Sequence, residues 1–142
     1  MNLILRNTRS AFAIAALAGA MFAGSAAAAE TVVVLSGDQE VPAVETSATG
    51  SGSITVNADK SVSGSVTTYG IAGTMAHIHE AAPGENGSVV IPLKQTAQNV
   101  WSVPAGAKLT DAQYKSFEAG DLYVNVHSQA HPGGEIRGQL KP

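Results

Sequence analysis

DLYVNVHSQAHPGGEIRGQL (121–140) carries two alternating runs separated by a proline–glycine loop. Leu122, Val124 and Val126 fall on one parity, and Tyr123, Asn125 and His127 on the other. A strand over 121–128 therefore has an apolar face and a polar one. EIRGQL (135–140) returns with Ile136 and Leu140 on the apolar side and Glu135, Arg137 and Gln139 opposite. QAHPGG (129–134) has the length of a hairpin loop. A period of two rather than 3.6 points to a β protein.

The segments upstream repeat the pattern. TVVVLSG (31–37) is expected as the first strand, with enough consecutive valine to be buried on both faces. DQEVPAVETSATG (38–50) is a connection, since Pro42 would remove a ladder donor from a central strand. SGSITVNA (51–58) and SVSGSVTTYG (61–70) read as a hairpin with Asp59-Lys60 as its turn. TMAHIHEA (74–81) puts Met75, His77 and His79 on one face and Ala76 and Ile78 on the other. APGENG (82–87) is a turn-rich loop, SVVIPL (88–93) a strand ended or edged by Pro92, and NVWSVP (99–104) a short strand that places Trp101 in or near the core. Thr110-Asp111-Ala112-Gln113 fits a capping box that opens the one helix, and Gly120 suits its left-handed end. These elements predict an all-β Greek-key β-sandwich, of immunoglobulin or superoxide dismutase type, with one short helix near 110–119.

The N-terminal residues have a different character. Arg6 and Arg9 precede the apolar run AFAIAALAGAMFAG, too short for a bilayer span, and Ala27-Ala28-Ala29 supply a cleavage site before Glu30. Residues 1–29 are thus expected to be a cleaved signal peptide and 30–142 one domain, periplasmic or secreted, with no membrane span. The chain holds 8 basic and 11 acidic residues, and cleavage would remove Arg6 and Arg9. An acidic domain without a basic stripe argues against nucleic acid as a partner. With no cysteine, disulfides, thiolate metal sites and a catalytic thiol are excluded.

All four histidines lie in two segments, at His77, His79, His127 and His131. Residues i and i+2 of a strand share a face about 6.5–7 Å apart, close enough for two imidazoles to reach one ion. His77 and His79 can thus act together, and His127 joins them if its strand is a neighbour. Three neutral imidazoles suit copper first and zinc second. Met75 adds a soft thioether on the same face, and His131 is a further candidate ligand from the loop. Glu135, Arg137, Tyr123 and Asn125 are expected around the ligands, Glu135 as a partner that holds a histidine tautomer. The plainer reading is a polar network in which the same histidines bond Glu135, Asn125 or backbone. Asp38 and Glu40 form a D-x-E candidate for a hard cation, and Arg137 with Glu135 reads as a sheet-surface ion pair.

LSGDQEVPAVET (35–46), AHIHEAAPGENGSVVIPL (76–93) and LYVNVHSQAHPGGEIRGQL (122–140), with Trp101 and LTDAQ (109–113), resemble the CHRD domain family, named for the repeats of chordin. The resemblance spans nearly the whole of 30–142 and implies a compact β-sandwich. Ala43 stands where the family has a second proline, and His131 where a polar residue such as asparagine is usual. The H-x-H strand is also similar, by analogy, to the copper strand of Cu/Zn superoxide dismutase. The sequence thus leads to an exported metal-binding protein for copper binding, storage or delivery. The alternatives are a metal-free module that recognises a glycan or a protein, such as another exported protein, and a dismutase-like copper enzyme.

Overall fold

The computed structural model describes residues 28–142. The expected signal peptide therefore lies outside the described residues, save Ala28 and Ala29. The nine strands are β1 (Ala29–Ser36), β2 (Thr49–Val56), β3 (Val62–Tyr69), β4 (Gly73–Glu80), β5 (Ser88–Pro92), β6 (Lys94–Ala97), β7 (Val100–Ser102), β8 (Leu122–Ser128) and β9 (Ile136–Leu140), with one helix, α1 (Asp111–Ala119), between β7 and β8. Every pairing is antiparallel, and the spatial order is β5-β4-β8-β9-β1-β2-β3-β7-β6. The two outermost strands, β5 and β6, are consecutive in sequence with only Leu93 between them. Leu93 donates its N–H to the Ala76 carbonyl (2.9 Å) at that corner. The sheet is therefore nearly closed, and its all-β class is the one the alternation predicts.

Among the paired strands, the ladder is thinnest between β1 and β9, where a single pair, Ser36 with Arg137, is formed. The Gln39 amide fills this seam. It donates to the Val34 carbonyl and to Ser36 Oγ (both 3.1 Å), and its oxygen accepts from Gln139 N (3.4 Å). A Cβ at Gly138 would collide with the Val34 carbonyl, so glycine lets the two backbones approach. The interior is one apolar cluster drawn from both halves, with Val33, Leu35, Ile54 and Val66 meeting Ala76, Ile78, Val124, Val126 and Ile136. Trp101 is part of that core.

Several local expectations are corrected. β1 is not buried on both faces: Thr31, Val33 and Leu35 point inward, while Val32 and Val34 are 76% and 61% exposed. Strict alternation prevails because no layer covers that face of β1. The β2–β3 hairpin forms, but its turn is longer than Asp59-Lys60. Lys60 N–H reaches the Asn57 carbonyl, and Lys60 takes the left-handed conformation (φ 70°) that closes such a loop without glycine. β6 was not foreseen, since all four of its residues are exposed and polar or small, which leaves no alternation to read.

The helix follows its capping signals. Thr110 Oγ1 accepts from Gln113 N, the Gln113 side chain accepts from Thr110 N, and Gly120 ends the helix at φ 81°. Of its nine residues only Phe117 is buried, which makes α1 a lightly anchored crossover. Ser116 Oγ ties it to β4 by donating to Glu80 Oε1 (2.6 Å).

Candidate metal centre

β4 and β8 are direct neighbours, so the condition for a three-histidine site is met. Their register pairs Met75 with His127, His77 with Asn125 and His79 with Tyr123. β9 continues the same face by pairing Arg137 with Asn125 and Gln139 with Tyr123. Cross-strand alternation thus gathers the polar residues of three strands on one side. That side is not open sheet surface. Every residue of β8 is buried: Leu122, Val124 and Val126 lie in the core, and the polar side is met by the loop 81–87 at Tyr123, by Gly134 at Asn125 and by Pro132 at His127.

The loop is tied down from the sheet. Arg137 Nη1 donates to the Glu85 carbonyl (2.7 Å) and Nη2 to the Ala82 carbonyl (3.1 Å). Gln139 Nε2 donates to the Ala81 carbonyl (2.8 Å), and Asn86 Nδ2 to the Val41 carbonyl (2.7 Å). Gly87 N–H donates to Tyr123 Oη (3.2 Å). A side chain at Gly87 would run into the Glu80 carbonyl, so the return into β5 requires glycine.

Within this enclosure one nitrogen from each of His77, His79 and His127 lies within 4.8 Å of the other two. His127 Nδ1 stands 2.8 Å from the Pro132 carbonyl and must donate to it, which leaves Nε2 as the ring's acceptor. That Nε2 lies 3.0 Å from His77 Nδ1, which donates to it. His79 Nδ1 donates to the Gly87 carbonyl (3.0 Å), and its Nε2 is buried without any partner. Backbone carbonyls therefore fix two of the three tautomers with the ε nitrogens turned toward the cluster. The same device orients histidine ligands in metal sites generally.

Their surroundings favour the neutral form of His77 and His79. Burial lowers His77 below the ordinary imidazole value, and the neighbouring His127 and His79 add to the effect. Burial lowers His79 as well, and outweighs the opposing hydrogen bond to Gly87. Neutral imidazole is the form that binds a metal. An ion with bonds of about 2.0–2.1 Å needs its ligand nitrogens about 3.4 Å apart. The cluster's nitrogens, 3.0 Å apart for His77 Nδ1 and His127 Nε2 and within 4.8 Å overall, bracket that spacing, and an ion would replace the proton that His77 shares with His127.

The other candidate residues are distributed unevenly. Tyr123 stacks on His79, with ring centroids 4.9 Å apart and planes 5° from parallel. The Arg137 guanidinium carbon lies 3.5 Å from the centre of the other side of that ring. Met75 faces His127 across the strands and is 48% exposed, at the open end of the site. His131 is not drawn into the cluster. Its carbonyl accepts from Ser128 N and Gly134 N, and thereby shapes the turn that delivers Pro132 to His127.

Glu135 accepts from Thr46 Oγ1 (2.7 Å), and none of the three clustered imidazoles bonds to it. Burial raises its carboxyl, but hydrogen bonds from Ser128 and Thr46 prevail and hold it below the usual range. The surface ion pair with Arg137 does not form. Arg137 is only 1% exposed and serves loop carbonyls, because the loop that covers β9 supplies acceptors where solvent was expected.

Glu40, noticed only as half of a D-x-E pair, is a buried part of the surroundings. It is 6% exposed, with one carboxylate oxygen unpartnered. Burial pushes its carboxyl up to about 7 against the opposing effects of Arg137 and Asn125. Asn125 neighbours both Glu40 and His79, and its Oδ1 is also left unpartnered. A Cβ at Gly134 would come within 2.5 Å of Glu40 Oε1 and 2.7 Å of Asn125 Nδ2, so a glycine makes room for the pair. No local signal marks Glu40, since its burial arises from contacts between segments about 90 residues apart.

The family model of the CHRD domain matches residues 31–140. The chain belongs to the CHRD domain family. Comparison with curated proteins and with solved structures finds no significant match. In this CHRD domain the segments 76–93 and 122–140 form the β4–loop–β5 and β8–β9 units that build the histidine cluster and its cover.

Proposed function

We propose that this CHRD domain is an exported metal-binding protein that takes up one copper ion through His77, His79 and His127, for storage or delivery in the periplasm or outside the cell. The observation that carries the reading is the pair of carbonyl-fixed tautomers at His79 and His127, which leave ε nitrogens converging with His77 in a buried site. A merely structural polar network would bond both nitrogens; His127 Nε2 does accept from His77 Nδ1, whereas His79 Nε2 is left unpartnered. Copper is favoured over zinc by the affinity order for imidazole nitrogen and by the thioether of Met75 beside His127. Export rests on the signal-like residues 1–29. Storage or delivery is preferred to superoxide turnover because the described residues hold one such cluster and no second beside it. Burial of the polar sheet face also weakens the metal-free alternative, a module that would recognise a protein or glycan through that face.

Calorimetric titration with Cu(II), and with Cu(I) under anaerobic reducing conditions, tests the proposal. Sub-micromolar, one-to-one binding that is lost in His77→Ala/His79→Ala is expected. Equal binding by the wild type and the double variant would refute it.

A further inference from the structure

His79 is gripped on two sides, and both grips lead to one residue. Its ring lies flat on Tyr123, whose far side carries the Arg137 guanidinium. Its Nδ1 is held by the Gly87 carbonyl, at the end of the loop that Arg137 binds through the Ala82 and Glu85 carbonyls. Tyr123 closes the circuit, because its hydroxyl accepts from Gly87 N–H. The circuit runs from Arg137 to Tyr123 to His79 to Gly87 and back along the loop to Arg137.

We infer that Arg137 and Tyr123 are positioning residues for the metal centre, setting its affinity and ligand geometry by locking the ring plane and tautomer of His79. The inference rests on the three-histidine reading above. Arg137 acts from a distance: its Nη atoms are committed to the two loop carbonyls and to Gln139 Oε1 (3.1 Å). It combines three tasks that only a planar guanidinium performs together, namely stacking on a ring and donating to two separate carbonyls. A lysine keeps the charge and loses the fork. The buried cation is balanced by loop carbonyls and by the nearby Glu40, not by a surface partner. Such placement suits a brace inside the fold better than a solubilising surface charge.

The effect is sized by analogous cases. Removing a group that orients a histidine ligand costs about 10–100-fold in metal affinity. Tyr123→Phe is the cleaner variant, since it keeps the stacked ring and deletes only the hydroxyl that holds Gly87. Arg137→Lys tests the fork.

The experiment combines three readouts on the purified protein. Cu(II) affinity is measured by competition with a chelator, the copper site by its electron paramagnetic resonance spectrum, and the metal-free His79 tautomer by nitrogen NMR of the imidazole. Thermal unfolding confirms that each variant folds. The expected result for Tyr123→Phe is a loss of about tenfold in affinity, an altered copper spectrum and a mixed His79 tautomer, with a larger loss for Arg137→Lys. Val32→Ser, on the exposed face of β1, should change none of these.

A folded Tyr123→Phe with wild-type affinity, spectrum and tautomer overturns the inference, whatever Arg137→Lys does. If wild-type protein binds no copper, the three-histidine reading fails instead, and the tautomer readout still decides whether the brace on His79 exists.

Discussion

At the scale of single residues, His79 and Glu40 are set in opposition by the same burial. His77 and His79 are held below the ordinary imidazole value of 6.5, so the unfolded chain takes up protons first as pH falls past that value. The stability they contribute is therefore lost as pH drops below 6.5. Glu40 runs the other way. Its carboxyl is raised from 4.5 to about 7, so between those values the folded protein binds more protons than the unfolded chain. Its contribution is present at low pH and is lost as pH rises through that window. Glu40→Gln removes this opposing contribution and leaves the histidine effect unopposed by it. The melting temperature of metal-free Glu40→Gln is expected to rise more steeply with pH between 4.5 and 7 than that of the wild type, a comparison that thermal unfolding at four or five pH values makes directly. A slope equal to that of the wild type would show that Glu40 is not buried as described. Gly87→Ala offers a second test. The methyl group would meet the Glu80 carbonyl, and the variant should lose stability on the order of 2–4 kcal/mol in urea unfolding, together with copper affinity. The alternation of two strands made the three histidines legible, because a period of two fixes which residues share a face. The acceptors that orient them, Gly87 and Pro132, are carbonyls in loops, and backbone atoms leave no trace in side-chain pattern.

At the scale of elements, β1 shows how local composition misleads. Three consecutive valines suggest a strand covered on both sides, yet Val34 is exposed while its neighbours Val33 and Leu35 are fully enclosed. Which face is covered depends on whether another segment lies over it, and a strand does not encode its cover. Leu35→Ala should therefore cost about 2–5 kcal/mol. Val34→Ser should stay within about 0.5 kcal/mol. Urea unfolding of the two variants reads the contrast, and equal losses would contradict it. Helix α1 is the opposite case. Its boundaries were legible in full, because Thr110, Gln113 and Gly120 act through local hydrogen bonds and backbone conformation. Thr110→Ala should cost about 1 kcal/mol of stability, with copper affinity unchanged, since the side-chain hydrogen bond from α1 to β4 runs from Ser116 to Glu80 and not to a histidine. β6 was illegible because its four exposed residues gain nothing from alternation.

At the scale of the whole molecule, the closing of the sheet is what creates the site. The chain turns from β5 into β6 at Leu93, where the two outermost strands meet, and the helix crossover returns β8 to lie beside β4. That return brings His127 to His77 across 50 residues of sequence. The all-β class and the hairpin 121–140 followed from pattern, but the neighbour relation of β4 and β8 did not. Pairing of non-consecutive strands is decided by how the two halves pack, which a single sequence read strand by strand does not specify. The most direct measurement of the central claim is a crystal structure of the copper-loaded protein with anomalous diffraction recorded at the copper edge. The account predicts a single strong peak about 2.0–2.1 Å from one nitrogen each of His77, His79 and His127, with the loop 81–87 still closed over His79. A peak elsewhere on the protein, or none at the cluster under saturating copper, would contradict it.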